Sequence, residues 1–136
     1  MKIIIHIEKK KLDIDYEQAI AEYTKRLLPF CRLKLITYKD FSKLSTQPDS
    51  VVFMIVPGKD TLSSEGLAAR LNKLSLSGHS RLEFIISSQT ESIAYGDSAD
   101  TLSLSGFTMS CDLTAVVLSE QLYRAYTILN HITYHK

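Results

Sequence analysis

The feature that most constrains this chain is Val51–Val56, six apolar residues in succession closed by Pro57–Gly58. A short apolar run stopped by a turn signal fits a strand buried on both faces, and such strands belong to parallel sheets covered on each side. The flanking pattern agrees. Lys2–Ile7 reads as a first buried strand, and Leu33–Thr37 as a second. Asp15, with Gln18 three residues on, predicts a capped helix start; Tyr16, Ala19, Ile20, Tyr23 and Leu27 then recur at helical spacing until Pro29. Ser63 or Ser64 caps a helix running to about Leu76, with Leu67, Leu71 and Leu74 inward and Gly78 after its end.

Leu82–Ile86 predicts a fourth strand and Thr101–Ser105 a short fifth, separated by the polar, irregular Ser87–Asp100 with room for one short helix. A long final helix starts near Asp112, its apolar stripe made by Leu113, Val116, Val117, Leu122, Tyr123, Tyr126 and Leu129. Strands alternating with helices predict an α/β fold with a mainly parallel sheet. At 136 residues the chain is expected to be one domain, 1–136, without repeats or linkers.

Composition narrows function mostly by exclusion. With 45% hydrophobic and 23% charged residues the chain is not of the disordered class. A net charge of +1 argues against strong autonomous binding to naked nucleic acid. Cys31 and Cys111 lack zinc spacing, no metal cluster, P-loop or nucleophile elbow is present, and no apolar run nears the roughly 18 residues of a membrane span. The expected location is the cytoplasm, with no metal and no membrane partner.

Three ordered blocks carry a resemblance. They are Gln18–Tyr23 continuing to Lys25–Arg26–Leu27, then Pro57–Gly58–Lys59 with Leu62–Ala68, and then Ser119–Tyr126 with the closing Tyr134–His135–Lys136. Together they resemble the SPOUT methyltransferases of RlmH type, which methylate N3 of a pseudouridine in large-subunit 23S rRNA. The resemblance implies a homodimer with a C-terminal trefoil knot, S-adenosylmethionine as cofactor, and large ribosomal subunit rRNA as partner. The cofactor loops map to Met54, to Ser88 after the fourth strand, and to Ser105, Gly106, Phe107, Thr108, Met109 and Ser110. The RNA would lie across the dimer interface near one C-terminal tail.

The chain departs from that pattern in three places. Where the family reads I-G-G-x-x-G, this chain has Ile86–Ser87–Ser88–Gln89–Thr90–Glu91, without the glycines that let a ligand approach backbone. A family Pro-His and a following Arg are replaced by Ser110–Cys111 and Ala115, and Tyr38–Ser50 is 13 residues long where relatives carry an extra helix. These losses define the alternative function: a non-catalytic knotted dimer that has lost S-adenosylmethionine and binds RNA or protein.

For catalysis, the resemblance points to Tyr134 and His135, one to remove or orient the imide proton, and to Arg124 as a phosphate contact. Arg124 also stands i,i+4 from Glu120, an ordinary helix ion pair. His131 near the helix end suits a capping role, Lys9–Lys10–Lys11 a solvated loop, and His6 and His79 structural positions.

Overall fold

The computed structural model describes residues 1–88 and 100–134. Its elements are β1 (Lys2–Ile7), α1 (Ile14–Leu27), β2 (Arg32–Thr37), a 3-10 turn (Phe41–Lys43), β3 (Val51–Ile55), α2 (Ser64–Leu76), β4 (Arg81–Ile86), β5 (Asp100–Leu102) and α3 (Cys111–Leu129). All strand pairings are parallel and the sheet order is β2-β1-β4-β3-β5. The parallel α/β expectation is met. The fifth strand is shorter than expected, and the short helix expected between β4 and β5 falls mostly outside the described residues.

The strands are apolar on both sides because both sides are covered. Ile3, Ile5, Ile7, Leu82, Phe84 and Phe53 meet Ile20 and Leu27 of α1, Leu67 and Leu71 of α2, and Leu118 and Leu122 of α3. α3 packs against both other helices. On the opposite face, Met54 and Ile85 are covered by Leu44, with Tyr38 and Phe41 beside it. Residues 38–50 therefore do, with one 3-10 turn, the covering that a longer connection would do with a helix.

That second face also buries a polar row. His6 and Glu83 are 2% and 1% exposed; His6 Nε2 lies 2.7 Å from Glu83 Oε1, and its Nδ1 lies 2.7 Å from the Tyr38 hydroxyl. The other Glu83 oxygen accepts from the Gln47 amide at 2.9 Å. Burial alone would raise the Glu83 pKa, but the Ser50, His6 and Gln47 contacts outweigh it and hold the carboxyl below its usual range. His6 is structural, as expected.

Helix ends follow local chemistry. Ser63 caps α2, its hydroxyl accepting from the Gly66 amide at 2.9 Å. α1 starts earlier than expected: Asp13, not Asp15, holds the N-cap position, and Asp15 lies in the first turn, where its charge complements the helix dipole. α3 closes with His131 at φ 57°. The His131 amide donates to Ile128 and the Ile132 amide to Thr127, so His131 fills the left-handed site usually taken by glycine.

The stripe expected on α3 is buried only in part: Leu122 lies in the core and Val116, Tyr123, Tyr126 and Leu129 pack against it. Thr114, Ala115, Leu118, Ser119, Leu122 and Ala125 point inward, whereas Leu113 is 38% exposed and Val116 and Val117 are half-buried. The small inward residues Ala115, Ser119 and Ala125, interleaved with Leu118 and Leu122, let α3 sit close between its neighbours.

Candidate functional site

The C-terminal ends of parallel strands are where α/β sheets place ligands, since adjacent connections diverge there. A cavity of about 320 Å³ opens at this end of the sheet. Ile55, Val56 and Pro57 after β3, Ile86, Ser87 and Ser88 after β4, and Leu104 and Ser105 after β5 form three of its sides. Phe107, Thr108, Met109 and Ser110 form the fourth, with Cys111 and Thr114 from the start of α3.

Two of these loops are zipped together. Val56 donates to Leu102 at 2.9 Å, Gly58 to Ser105 at 3.1 Å, and Leu62 to Ser103 at 2.9 Å. Gly58 is closely approached: a Cβ there would stand 2.5 Å from Ser103 Oγ and would oblige that hydroxyl to turn aside. The Ser105 hydroxyl accepts from the Phe107 amide at 2.9 Å. Phe107 itself is 83% exposed at the cavity mouth.

The third loop is held by Glu8, just past β1. Its Oε1 accepts from Ser87 Oγ at 2.9 Å, Ser88 Oγ at 2.9 Å and the Ser88 amide at 3.2 Å; its Oε2 accepts from the Phe41 amide at 3.2 Å. Burial pushes the Glu8 carboxyl up, but the serine and amide donors overcome it and hold it below the usual range. The two serines that replace glycines are thus tied to a carboxylate just past β1.

The start of α3 is fixed similarly. Asp112, 2% exposed, accepts from Lys9 Nζ at 2.6 Å and from the Asp13 amide at 3.1 Å. Its pKa is depressed: Lys9 and the Asp13 amide overcome the upward push of burial. Ser110 caps the helix, its hydroxyl accepting from the Leu113 amide at 3.2 Å. Burial, then Asp112 and Glu8, push the Cys111 thiol up, so it stays protonated near neutral pH.

Of the residues expected around a cofactor, Ser88, Ser105, Phe107, Thr108, Met109 and Ser110 line this one cavity. Gly106 sits in the same loop, its Cβ position 3.8 Å from the Gly58 carbonyl oxygen. Met54 stands elsewhere. Its side chain packs with Leu44 and Ile85 on the other sheet face, and its neighbour Ile55 takes the cavity wall. Ala115, at the position of the family arginine, is fully buried in the core.

The tail forms a separate cluster. Tyr134 meets Tyr123 edge-on at 4.8 Å, lies 5.3 Å under the Arg124 guanidinium, and its hydroxyl is 3.3 Å from Glu120 Oε1. Burial, reinforced by Tyr23 and Glu120, pushes its pKa up to about 12. Arg124 makes the expected ion pair with Glu120 at 2.6 Å. His135 lies outside the described residues. None of Glu120, Tyr123, Arg124 and Tyr134 lines the cavity of its own chain.

Sequence reasoning missed Glu8, Asp112 and Ile55. Among the described residues no group of His, Cys, Asp and Glu is arranged to hold a metal ion, and no helix is long and apolar enough to cross a membrane.

Comparison with known proteins adds an independent line. The family model described as "Predicted SPOUT methyltransferase" matches residues 1–135. A protein of Thermoanaerobacter sp. (strain X514) named "Ribosomal RNA large subunit methyltransferase H 1" is 36% identical over 138 residues, covering 100% of both chains. Proteins named "Ribosomal RNA large subunit methyltransferase H" are 33% identical in Finegoldia magna, covering 86% of this chain and 88% of the relative, and 33% identical in Limosilactobacillus reuteri, covering 89% and 91%.

Proposed function

This chain belongs to the SPOUT methyltransferase family, and we propose that it transfers a methyl group from S-adenosylmethionine to N3 of a pseudouridine in large-subunit rRNA, acting in the cytoplasm as a knotted homodimer. The observation that carries this reading is the cavity of about 320 Å³, which persists at the ends of β3 and β4 although the glycines of its loop are gone. It lies at the small end of the usual range for small-molecule sites, about 300–1,000 Å³.

The lining suits this cofactor. Ile55, Val56, Leu104 and Met109 offer apolar walls for an adenine ring, and the serine-bearing loops offer polar groups for its ribose and amino-acid ends. When bound, the cofactor supplies an electrophilic methyl on a sulfonium. The protein's part is to hold the target nitrogen in line with that methyl and to let its proton leave. Tyr134, with a pKa near 12, stays protonated at neutral pH and serves as a donor or packing surface rather than a base. His135 is the residue of the pair whose ordinary pKa suits proton removal.

The separation of tail and cavity within one chain supports a composite site, in which the partner's tail approaches this cavity. The outer face of α3, with Leu113 38% exposed and Val116 and Val117 half-buried, is the proposed contact between copies. A second reading, the non-catalytic dimer, draws on the Glu8 clamp, because serines fixed to a carboxylate cannot rearrange around a ligand as glycines do. Calorimetric titration with S-adenosylmethionine separates the two. Saturable binding supports the enzyme, and no heat at millimolar cofactor supports the binding module.

A further inference from the structure

The cavity occupies the C-terminal ends of the strands, and the other end of the sheet carries charges that methyl transfer does not use. Lys2 is the cross-strand partner of Arg32 on β2 and of Arg81 on β4. Strand alternation puts all three on the sheet face shared by Ile4, His6 and Glu83, the one away from the helices. One step further along that face, Lys34 stands beside Ile4. Neighbouring strands lie about 4.7–4.9 Å apart, so three cations form a row across three adjacent strands.

Like charges directly opposite one another weaken a sheet. Nothing in the described fold relieves these: Lys2, Arg32, Lys34 and Arg81 have no ion-pair partner among the described residues. Glu83, the carboxylate on the same face, is taken up by His6 and Gln47. Lys2, Arg32 and Lys34 are exposed and Arg81 is half-buried. A chain of net charge +1 therefore gathers four cations on one sheet face, none with an ion-pair partner among the described residues.

We propose that Arg81, Lys2 and Arg32, continued by Lys34, form a track that binds the phosphodiester backbone of RNA outside the modified nucleotide. The proposal rests on the reading that large-subunit rRNA is the substrate. A flat row with no enclosed pocket suits a run of phosphates rather than one small anion. The six residues of β1 separate row and cavity by roughly 17 Å, so a single nucleotide cannot span both, whereas a ribosomal subunit can. The track serves docking and stays out of the chemical step.

The test replaces the three cations by a strand-compatible neutral residue, Lys2→Thr, Arg32→Thr and Arg81→Thr together. Binding to purified large ribosomal subunits, and to rRNA freed of protein, is measured across a salt series. Each lost phosphate contact lowers the slope of log affinity against log salt by about 0.7–0.9, so the slope should fall by about two or more units and affinity at low salt by at least roughly tenfold. In methyl transfer, KM for subunits should rise while kcat and cofactor affinity hold. Melting temperature should stay level or increase, because cross-strand repulsion is gone. Should the triple variant fail to fold, Arg32→Gln on the exposed edge strand tests a single contact, with an expected slope loss of about 0.7–0.9.

A folded variant with the wild-type slope overturns the track and leaves the methyltransferase reading intact. Loss of binding to intact subunits but not to free rRNA assigns the surface to an acidic protein and overturns the RNA assignment. Absence of any wild-type binding to subunits or rRNA removes both the track and the substrate reading.

Discussion

Replacing Glu8 by glutamine keeps the shape of the side chain and removes its charge. In the native protein the two carboxylate oxygens accept from four donors, two serine hydroxyls and the amides of Ser88 and Phe41. A carboxamide has one acceptor oxygen, so its NH2 must face either the Phe41 amide or the serine donors, and at least one donor loses its partner. Hydrogen bonds to charged groups contribute about 1.5–3 kcal/mol and neutral ones about 0.5–1.5. Allowing for partial exposure, Glu8→Gln should cost about 1–2 kcal/mol, lowering Tm by roughly 3–8 °C at this chain length.

Because Ser87 and Ser88 form one wall of the cavity, loosening them should weaken S-adenosylmethionine by roughly fivefold or more, about 1 kcal/mol. The pH dependence follows from the depressed Glu8 pKa. Its contribution is complete above the unfolded value of about 4.5 and fades as pH falls through the lower folded value. The Tm gap between wild type and Glu8→Gln should therefore be constant from pH 6 to 8 and close below about pH 4.5. Scanning calorimetry and cofactor titration measure both effects. Equal Tm and equal affinity at pH 7 would refute the clamp.

Three further outcomes are expected. Deleting residues 134–136 should abolish methyl transfer while leaving cofactor affinity within about twofold and lowering Tm by only a few degrees, since Tyr134 packs on the outside of α3; retained activity on ribosomal subunits would exclude a catalytic tail. Gly58→Ala forces Ser103 away from a Cβ 2.5 Å off and should destabilise by about 1–3 kcal/mol, read as a shifted urea midpoint; an unchanged midpoint would mean the two zipped loops yield freely. Leu113→Asp, at a site 38% exposed, should give a folded monomer by light scattering, and a persistent dimer would move the interface off α3.

How much of this was legible in the sequence depended on the range of the interactions. Strand and helix identities follow from runs and turn residues within a few positions, and β1, β3, α2 and β4 lie within one residue of expectation. Which way a side chain faces was harder. In a run of six apolar residues both faces look alike, so nothing local separated Met54, on the face under Leu44, from Ile55, on the cavity wall. On α3 the apolar stripe marks the inward face only in part: Leu122 lies there, but close helix packing also favours Ala115, Ser119 and Ala125, with Ser119 bonding back to the Ala115 carbonyl at 2.7 Å. The Glu8 clamp joins residues 79 and 80 positions apart, and the Lys9–Asp112 pair residues 103 apart. No local pattern contains either. The Ser105–Ser110 loop was legible through the resemblance, since no hydrophobic period marks it.

Methyl transfer to large-subunit rRNA is measured with tritiated S-adenosylmethionine and large ribosomal subunits from cells lacking this modification. After incubation the rRNA is digested to nucleosides and the label separated chromatographically. Wild-type protein should place near-stoichiometric label in a single nucleoside, N3-methylpseudouridine. Label in another nucleoside would contradict the assigned target, and no label together with no calorimetric cofactor binding would contradict the enzyme itself.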